Sequence, residues 1–215
     1  MMKQQVGILD YGAGNFGSVK RAVEALSIVP RAVRTADDLH GISHLIFPGV
    51  GSARQAMSEL KSRGLDESIK KYAESGRPLL GICVGMQVLG AWSEEGDTRC
   101  LDLLPYEVRK FNCSDPIPHM GWNSLQWNRE HPLFDATSRE LAADTNLYFV
   151  HSYGFFVHDE SVRKFVVAES EYGGRRFAAL VGCQNIWGSQ CHIEKSGQAG
   201  LQIIRNFLNS GEAKC

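Results

Sequence analysis

This sequence predicts an α/β fold: an open, mostly parallel sheet flanked by helices, with an antiparallel β addition in the C-terminal half. Three observations predict it. Over residues 5–92, short apolar runs alternate with stretches of helical spacing. Three of the runs end in glycine-containing turns, at 12–15, 48–51 and 81–85. Beyond residue 105 strand patterns follow one another, and Gly173-Gly174 joins two of them as a hairpin signal.

Residues 5–9 form a buried first strand, and residues 10–15 a glycine-rich turn. Val19, Ala22, Val23 and Leu26 then line one face of a helix over 16–26. A second strand is expected at 29–34 and a third at 45–47, closed by Pro48-Gly49-Val50-Gly51. Helices follow at 53–61 and 65–74, with Gly64 as a break and Gly76 as a C-cap. Residues 78–83 make the next strand, and a helix runs from Val84 to about Trp92. In the second half, strands are expected at 105–111, 123–127, 147–151, 165–170, 176–183 and 185–191, then a closing helix at 200–209. With no low-complexity linker, charge block or internal repeat, residues 1–215 read as a single domain.

Composition narrows the function. The 215 residues are 43% hydrophobic and 22% charged, with a net charge of −1. No basic excess calls for nucleic acid, and the apolar runs are too short to span a bilayer. The first residues lack a signal-peptide pattern, so a cytoplasmic protein is expected. Cysteines stand at 83, 100, 113, 183, 191 and 215 with no C-x-x-C pair, and they read as reduced thiols. Cys191, His192 and Glu194 lack the usual zinc spacing, and no metal is expected. Gly12, Gly14 and Gly17 match G-x-G-x-x-G, but Asp37 and Asp38 only approach the acidic position that a dinucleotide site needs. No cofactor is expected.

Two stretches carry chemistry. Gly81-Ile82-Cys83-Val84-Gly85 places a cysteine at a strand-to-helix turn in a G-x-nucleophile-x-G pattern. The start of the following helix favours a thiolate. A packed, inert cysteine is the competing reading. Gln190-Cys191-His192-Ile193-Glu194 places an imidazole and a carboxylate two residues apart, on one face if the chain is extended. A carboxylate so placed orients the imidazole, which can then act as a base toward the thiol. His40, His44, His131 and His158 have no such context and read as structural.

With both stretches in view, the chain resembles the class I, triad-type glutamine amidotransferases, and within them the glutaminase subunits of imidazole glycerol phosphate synthase. The resemblance also rests on Asp10-Tyr11-Gly12-Ala13-Gly14-Asn15, Pro48-Gly49-Val50-Gly51, Pro118-His119-Met120-Gly121-Trp122-Asn123 and Tyr148-Phe149-Val150-His151-Ser152-Tyr153. It implies Cys83 as nucleophile, His192 as base and Glu194 as the orienting carboxylate. It implies oxyanion donors at the N–H groups of Val84 and Gly51, the latter in a strand thought to flip before it can donate. It further implies that Gln87, Ser152 and Tyr153 hold the amino-acid end of L-glutamine. Ammonia would pass to a partner, a (β/α)8-barrel cyclase, with Asn15, Trp122 and Lys195 near the interface and His119 in the same segment.

The chain departs from this pattern twice. Ile193 stands where the family has proline, and Cys191 where it has an aromatic residue. Without proline the His192 backbone is expected to be less constrained. An exposed Cys191 would be open to oxidation. Two alternatives stay open: a glutaminase serving a sugar amidotransferase in polysaccharide assembly, and a non-catalytic binding protein on the same scaffold.

Overall fold

The computed structural model describes residues 5–12, 14–128, 146–157 and 160–210. Ala13, His131, His158, Cys215 and the first four residues, all invoked above, lie outside the described residues.

The chain runs β1 (Val6–Leu9), α1 (Phe16–Glu24), β2 (Arg31–Val33), β3 (His44–Gly49), α2 (Ala53–Ser62), α3 (Leu65–Glu74), β4 (Leu79–Cys83) and α4 (Val84–Leu89). Short strands follow: β5 (Trp92–Ser93), β6 (Thr98–Arg99), β7 (Glu107–Lys110), β8 (His119–Asn123), β9 (Gln126–Trp127), β10 (Leu147–His151) and β11 (Tyr153–Gly154). The rest comprises α5 (Glu160–Arg163), β12 (Val166–Tyr172), β13 (Arg175–Cys183), β14 (Ile186–Ser189) and α6 (Gly197–Asn209).

Eight strands form the main sheet, in the order β2-β1-β3-β4-β14-β13-β12-β9. The first five are parallel neighbours, and the last three add in antiparallel fashion. Every residue of β1, β3 and β4 is buried. Parallel strands covered on both faces need such unbroken apolar runs. α1, α2, α3 and α6 bury one stripe each, α2 turning in Ala53, Ala56, Met57 and Leu60, whereas every residue of α4 is buried. Ser52 caps α2 by accepting a hydrogen bond from Gln55 N–H at 3.2 Å, worth about 1 kcal/mol. The buried apolar residues join in one contiguous cluster.

Several boundaries differ from expectation for local reasons. The helix after Cys83 ends at Leu89, not Trp92. Gly90 there lies against Tyr106, and a Cβ would come within 2.6 Å of Tyr106 O. The strand expected over 123–127 is two strands, because Ser124 N–H turns back to Asn123 Oδ1. The strand expected over 185–191 stops at Ser189, and a 3-10 turn follows at Ile193–Lys195. Two pairings went unforeseen. β8 and β10 form a separate antiparallel ribbon, and β11, β7, β5 and β6 form a small second sheet.

Candidate active site

Parallel strands all point the same way, so the turns after β1, β3, β4 and β14 gather at one edge of the sheet. That edge brings together the residues after Leu9, the 48–51 turn, Cys83 and His192. The 48–51 turn, Cys83 and His192, together with the 150–153 segment, line a cavity of about 290 Å³ that includes Gly51, Cys83, Val84, Gln87, Ser152, Tyr153 and His192.

Cys83 sits at the junction of β4 and α4 with φ 55° and ψ −111°. A side chain in this region carries strain of about 1–3 kcal/mol. The strain falls on the cysteine itself; the neighbouring glycines act by close approach. A Cβ on Gly85 would collide with Phe47 O, and one on Gly81 would come within 2.7 Å of the Gly85 carbonyl. Gly49, the cross-strand neighbour of Cys83, likewise has no room for a Cβ beside Gly85 N. Three glycines thus let β3, β4 and α4 crowd together and present Cys83 at the cavity wall.

His192 and Glu194 do meet, but not on an extended strand. The 3-10 turn at Ile193–Lys195 brings His192 Nδ1 to 2.7 Å from Glu194 Oε1, with both side chains buried. Asn15 Nδ2 donates to the same oxygen at 2.9 Å. Burial by itself lowers the His192 pKa, but Cys83 and Glu194 outweigh it and the net shift is upward. His192 Nε2 and Glu194 Oε2 are buried with no hydrogen-bond partner among the described residues. A buried polar atom without a partner is costly, and here the imidazole nitrogen belongs to a residue that lines the cavity shared with Cys83.

The departure at residue 193 leaves the histidine well held. His192 N–H donates to Tyr148 O at 2.8 Å, and Ile193 N–H donates to Cys191 O at 3.1 Å. With φ −80° and ψ 81°, His192 is the centre of an inverse γ-turn. Proline could not close that turn. Cys191 is fully buried, its pKa pushed up to about 12 by burial, and its sulfur lies 3.1 Å from Ser189 Oγ. It is therefore shielded from oxidants.

A family model described as "Glutamine amidotransferase class-I" matches residues 7–210. The chain belongs to the class I glutamine amidotransferase family. Among curated relatives of this amidotransferase is the imidazole glycerol phosphate synthase subunit HisH of Maridesulfovibrio salexigens, 41% identical over 210 residues, with 94% of this chain and 95% of that protein covered. The protein of the same name from Vibrio cholerae is 40% identical, covering 96% of this chain and 99% of the relative. A solved structure of PurLQS from Thermotoga maritima shares the fold, with a TM-score of 0.75 at 22% identity over 97% of this chain and 99% of that one.

In this amidotransferase Gln87 is buried, and its amide N–H groups reach Tyr153 O at 2.9 Å and Gln190 Oε1 at 3.0 Å. With both donors used, its carbonyl oxygen is the group left to a ligand. Trp122 and Lys195 both lie against the Tyr148 ring, at 5.6 Å and 6.0 Å, on the outer face of the β8–β10 ribbon. Trp122 and Met120 are exposed there. His119 is turned inward and buried, away from that surface. Gln190, His151 and Glu95 also border or touch the site and were not singled out from sequence. Gln190 falls in a strand-like run of mixed polarity, Asn185 to Cys191, where a glutamine signals nothing by periodicity. The glycines at 12 and 14 pack against Arg63 and Pro48, respectively.

Proposed function

We propose that this chain is the glutaminase subunit of an imidazole glycerol phosphate synthase, hydrolysing L-glutamine and passing ammonia to a cyclase that builds the imidazole ring in histidine biosynthesis. One observation carries the chemistry: a cysteine held at positive φ shares a cavity with an imidazole whose far nitrogen is fixed by a buried carboxylate. The likeness to curated HisH subunits across nearly the whole chain supports the pathway.

Glu194 and Asn15 hold His192 Nδ1 as the protonated nitrogen, which leaves Nε2 as the base. His192 Nε2 takes the thiol proton, and Cys83 Sγ attacks the side-chain amide carbon of glutamine. The N–H groups of Val84 and Gly51 receive the developing oxyanion, each worth about 3–4 kcal/mol in comparable hydrolases. His192 returns the proton to the amide nitrogen and ammonia leaves. Water then attacks the glutamyl thioester, with His192 again as base. The Gln87 carbonyl oxygen and the Ser152-Tyr153 segment hold the amino-acid end.

Ammonia is mostly protonated in neutral water, so its useful form needs a sheltered route to the acceptor. A (β/α)8-barrel cyclase docked over Asn15, Trp122 and Lys195 would supply that shelter, with the chain acting as one domain. Among the described residues no helix is long and apolar enough to cross a membrane. The free cysteines fit a reducing, cytoplasmic setting.

Mass spectrometry after exposure to 6-diazo-5-oxo-L-norleucine, an electrophilic glutamine analogue, tests the reading. Label is expected on Cys83; label elsewhere, or none in the presence of the cyclase, overturns it.

A further inference from the structure

A continuous line of hydrogen bonds leads from β8 to the candidate nucleophile. His119 and His151 face each other across the β8–β10 ribbon, and His119 Nδ1 lies 3.1 Å from His151 Nε2. His151 Nδ1 lies 2.8 Å from Tyr153 O. A carbonyl only accepts, so His151 carries its proton on Nδ1. The neutral ring then accepts at Nε2, and His119 must donate from Nδ1. His119 Nε2 is left as an acceptor, and Asn123 Nδ2 lies 3.5 Å from it. Every proton in the pair is thereby assigned.

The line continues beyond the histidines. Tyr153 O accepts a second hydrogen bond, from Gln87 Nε2, whose other N–H goes to Gln190 Oε1. Gln190 Nε2 in turn points to Cys83 Sγ at 3.7 Å. Each member has one orientation compatible with its neighbours. Flipping Gln190 would set its oxygen against the sulfur and its N–H groups against those of Gln87. The line therefore fixes both the amide that borders the ligand cavity and the sulfur.

We propose that His119 and His151 are positioning residues for the Cys83 site, acting through the Tyr153 carbonyl on Gln87 and Gln190. The inference rests on the glutaminase reading above. It deepens that reading by extending the site to two buried histidines that no chemical step uses.

A packing role is the rival account, and it is a serious one. His119 lies between the rings of Phe149 and Tyr172, with centroids 5.0 Å and 4.1 Å away. Two substitutions separate the roles. His119→Phe keeps a ring in the stack but removes the donor. His119→Asn empties the stack but keeps an amide N–H where Nδ1 was. The measurement is kcat and KM for glutamine in the complex with the cyclase, with a thermal melt of each variant.

Positioning predicts that His119→Phe loses roughly tenfold in kcat/KM, the scale of one buried hydrogen bond. His119→Asn stays within about threefold of wild type despite a lower melting temperature. The reverse order, Phe tolerated and Asn not, overturns the inference and leaves packing. Should either variant fail to fold, Gln190→Met tests the other end of the line, and undiminished kcat/KM there also overturns it. A wild-type complex unable to hydrolyse glutamine sinks the glutaminase reading, and this inference with it.

Discussion

Asn15 donates its side-chain amide to Glu194 across 2.9 Å, although Asn15 occupies the N-cap of α1 and an N-cap asparagine ordinarily turns that side chain to its own helix. The helix start makes no side-chain capping bond. A local preference has been surrendered to steady a buried carboxylate. Asn15→Ala should therefore lower glutamine turnover by about tenfold or more, the cost of one hydrogen bond to a charged group. The melting temperature should fall by a few degrees, the cost of that one hydrogen bond, with no further loss from a helix cap. Kinetics and melting of the same variant check this; a large loss of stability with normal turnover would show that the amide serves the helix.

The strain at Cys83 has its own signature. Cys83→Ala should abolish glutamine hydrolysis in the complex, because no other group in the cavity can form the thioester. Cys83→Gly should be equally inactive, yet melt a few degrees higher than the alanine variant. Glycine adopts φ 55° freely, whereas alanine keeps the Cβ penalty of about 1–2 kcal/mol. Equal melting temperatures for the two variants would place the strain elsewhere.

How far these relationships could be read from sequence depends on their range. β1, β3 and β4 announce themselves as largely apolar runs leading into glycine-containing turns, because burial on both faces leaves little room for polar residues, His44 at the start of β3 being the exception. Cys83 and its flanking glycines are legible for the same local reason. The His192–Glu194 pair was legible as a pair, but its geometry was not. Spacing of two suits an extended strand, and the chain instead makes a γ-turn and a 3-10 turn there. Nothing local marks the His119–His151 contact. It depends on β8 meeting β10 across a long intervening segment, and pairing at that distance leaves no periodic trace. Gln190 is hidden similarly, since its partners lie 103 and 107 residues away.

Buried histidines should make the protein acid-sensitive in a defined window. Burial pushes the pKa of His119 down to about 4 and that of His151 down to about 3. Unfolded, each titrates near 6.5. Between those values the unfolded chain binds protons that the folded chain refuses, so stability falls as pH drops from about 6.5 toward 3–4. His192 has the opposite sign: its raised pKa contributes stability below 6.5 that is lost as pH rises through the folded value. Denaturant melts of wild type and His151→Phe at pH 7 and pH 4.5 separate the two. The variant should lose less stability on acidification than the wild type. An equal loss would mean that His151 is not the buried neutral group described.

Ile193→Pro restores the residue usual in the family and tests how the triad turn is held. Proline removes the Ile193 N–H that reaches Cys191 O at 3.1 Å, at a cost of about 1 kcal/mol. It also deletes part of a fully buried side chain. Against this, proline suits the first position of a helical turn, and a preceding residue with ψ 81° is outside the helical region it disfavours. Fewer unfolded conformations return about 0.4–1 kcal/mol. The terms nearly cancel for the backbone, leaving the lost packing. The variant should be about 1 kcal/mol less stable and should keep kcat/KM within about threefold, since His192 N–H still bonds to Tyr148 O. Ile193→Gly loses the packing and the restraint together and should fall much further in both. If the proline variant instead loses activity while the glycine variant, which keeps the N–H, retains it, the γ-turn hydrogen bond itself, and not the restraint on φ, is what holds His192 toward Cys83.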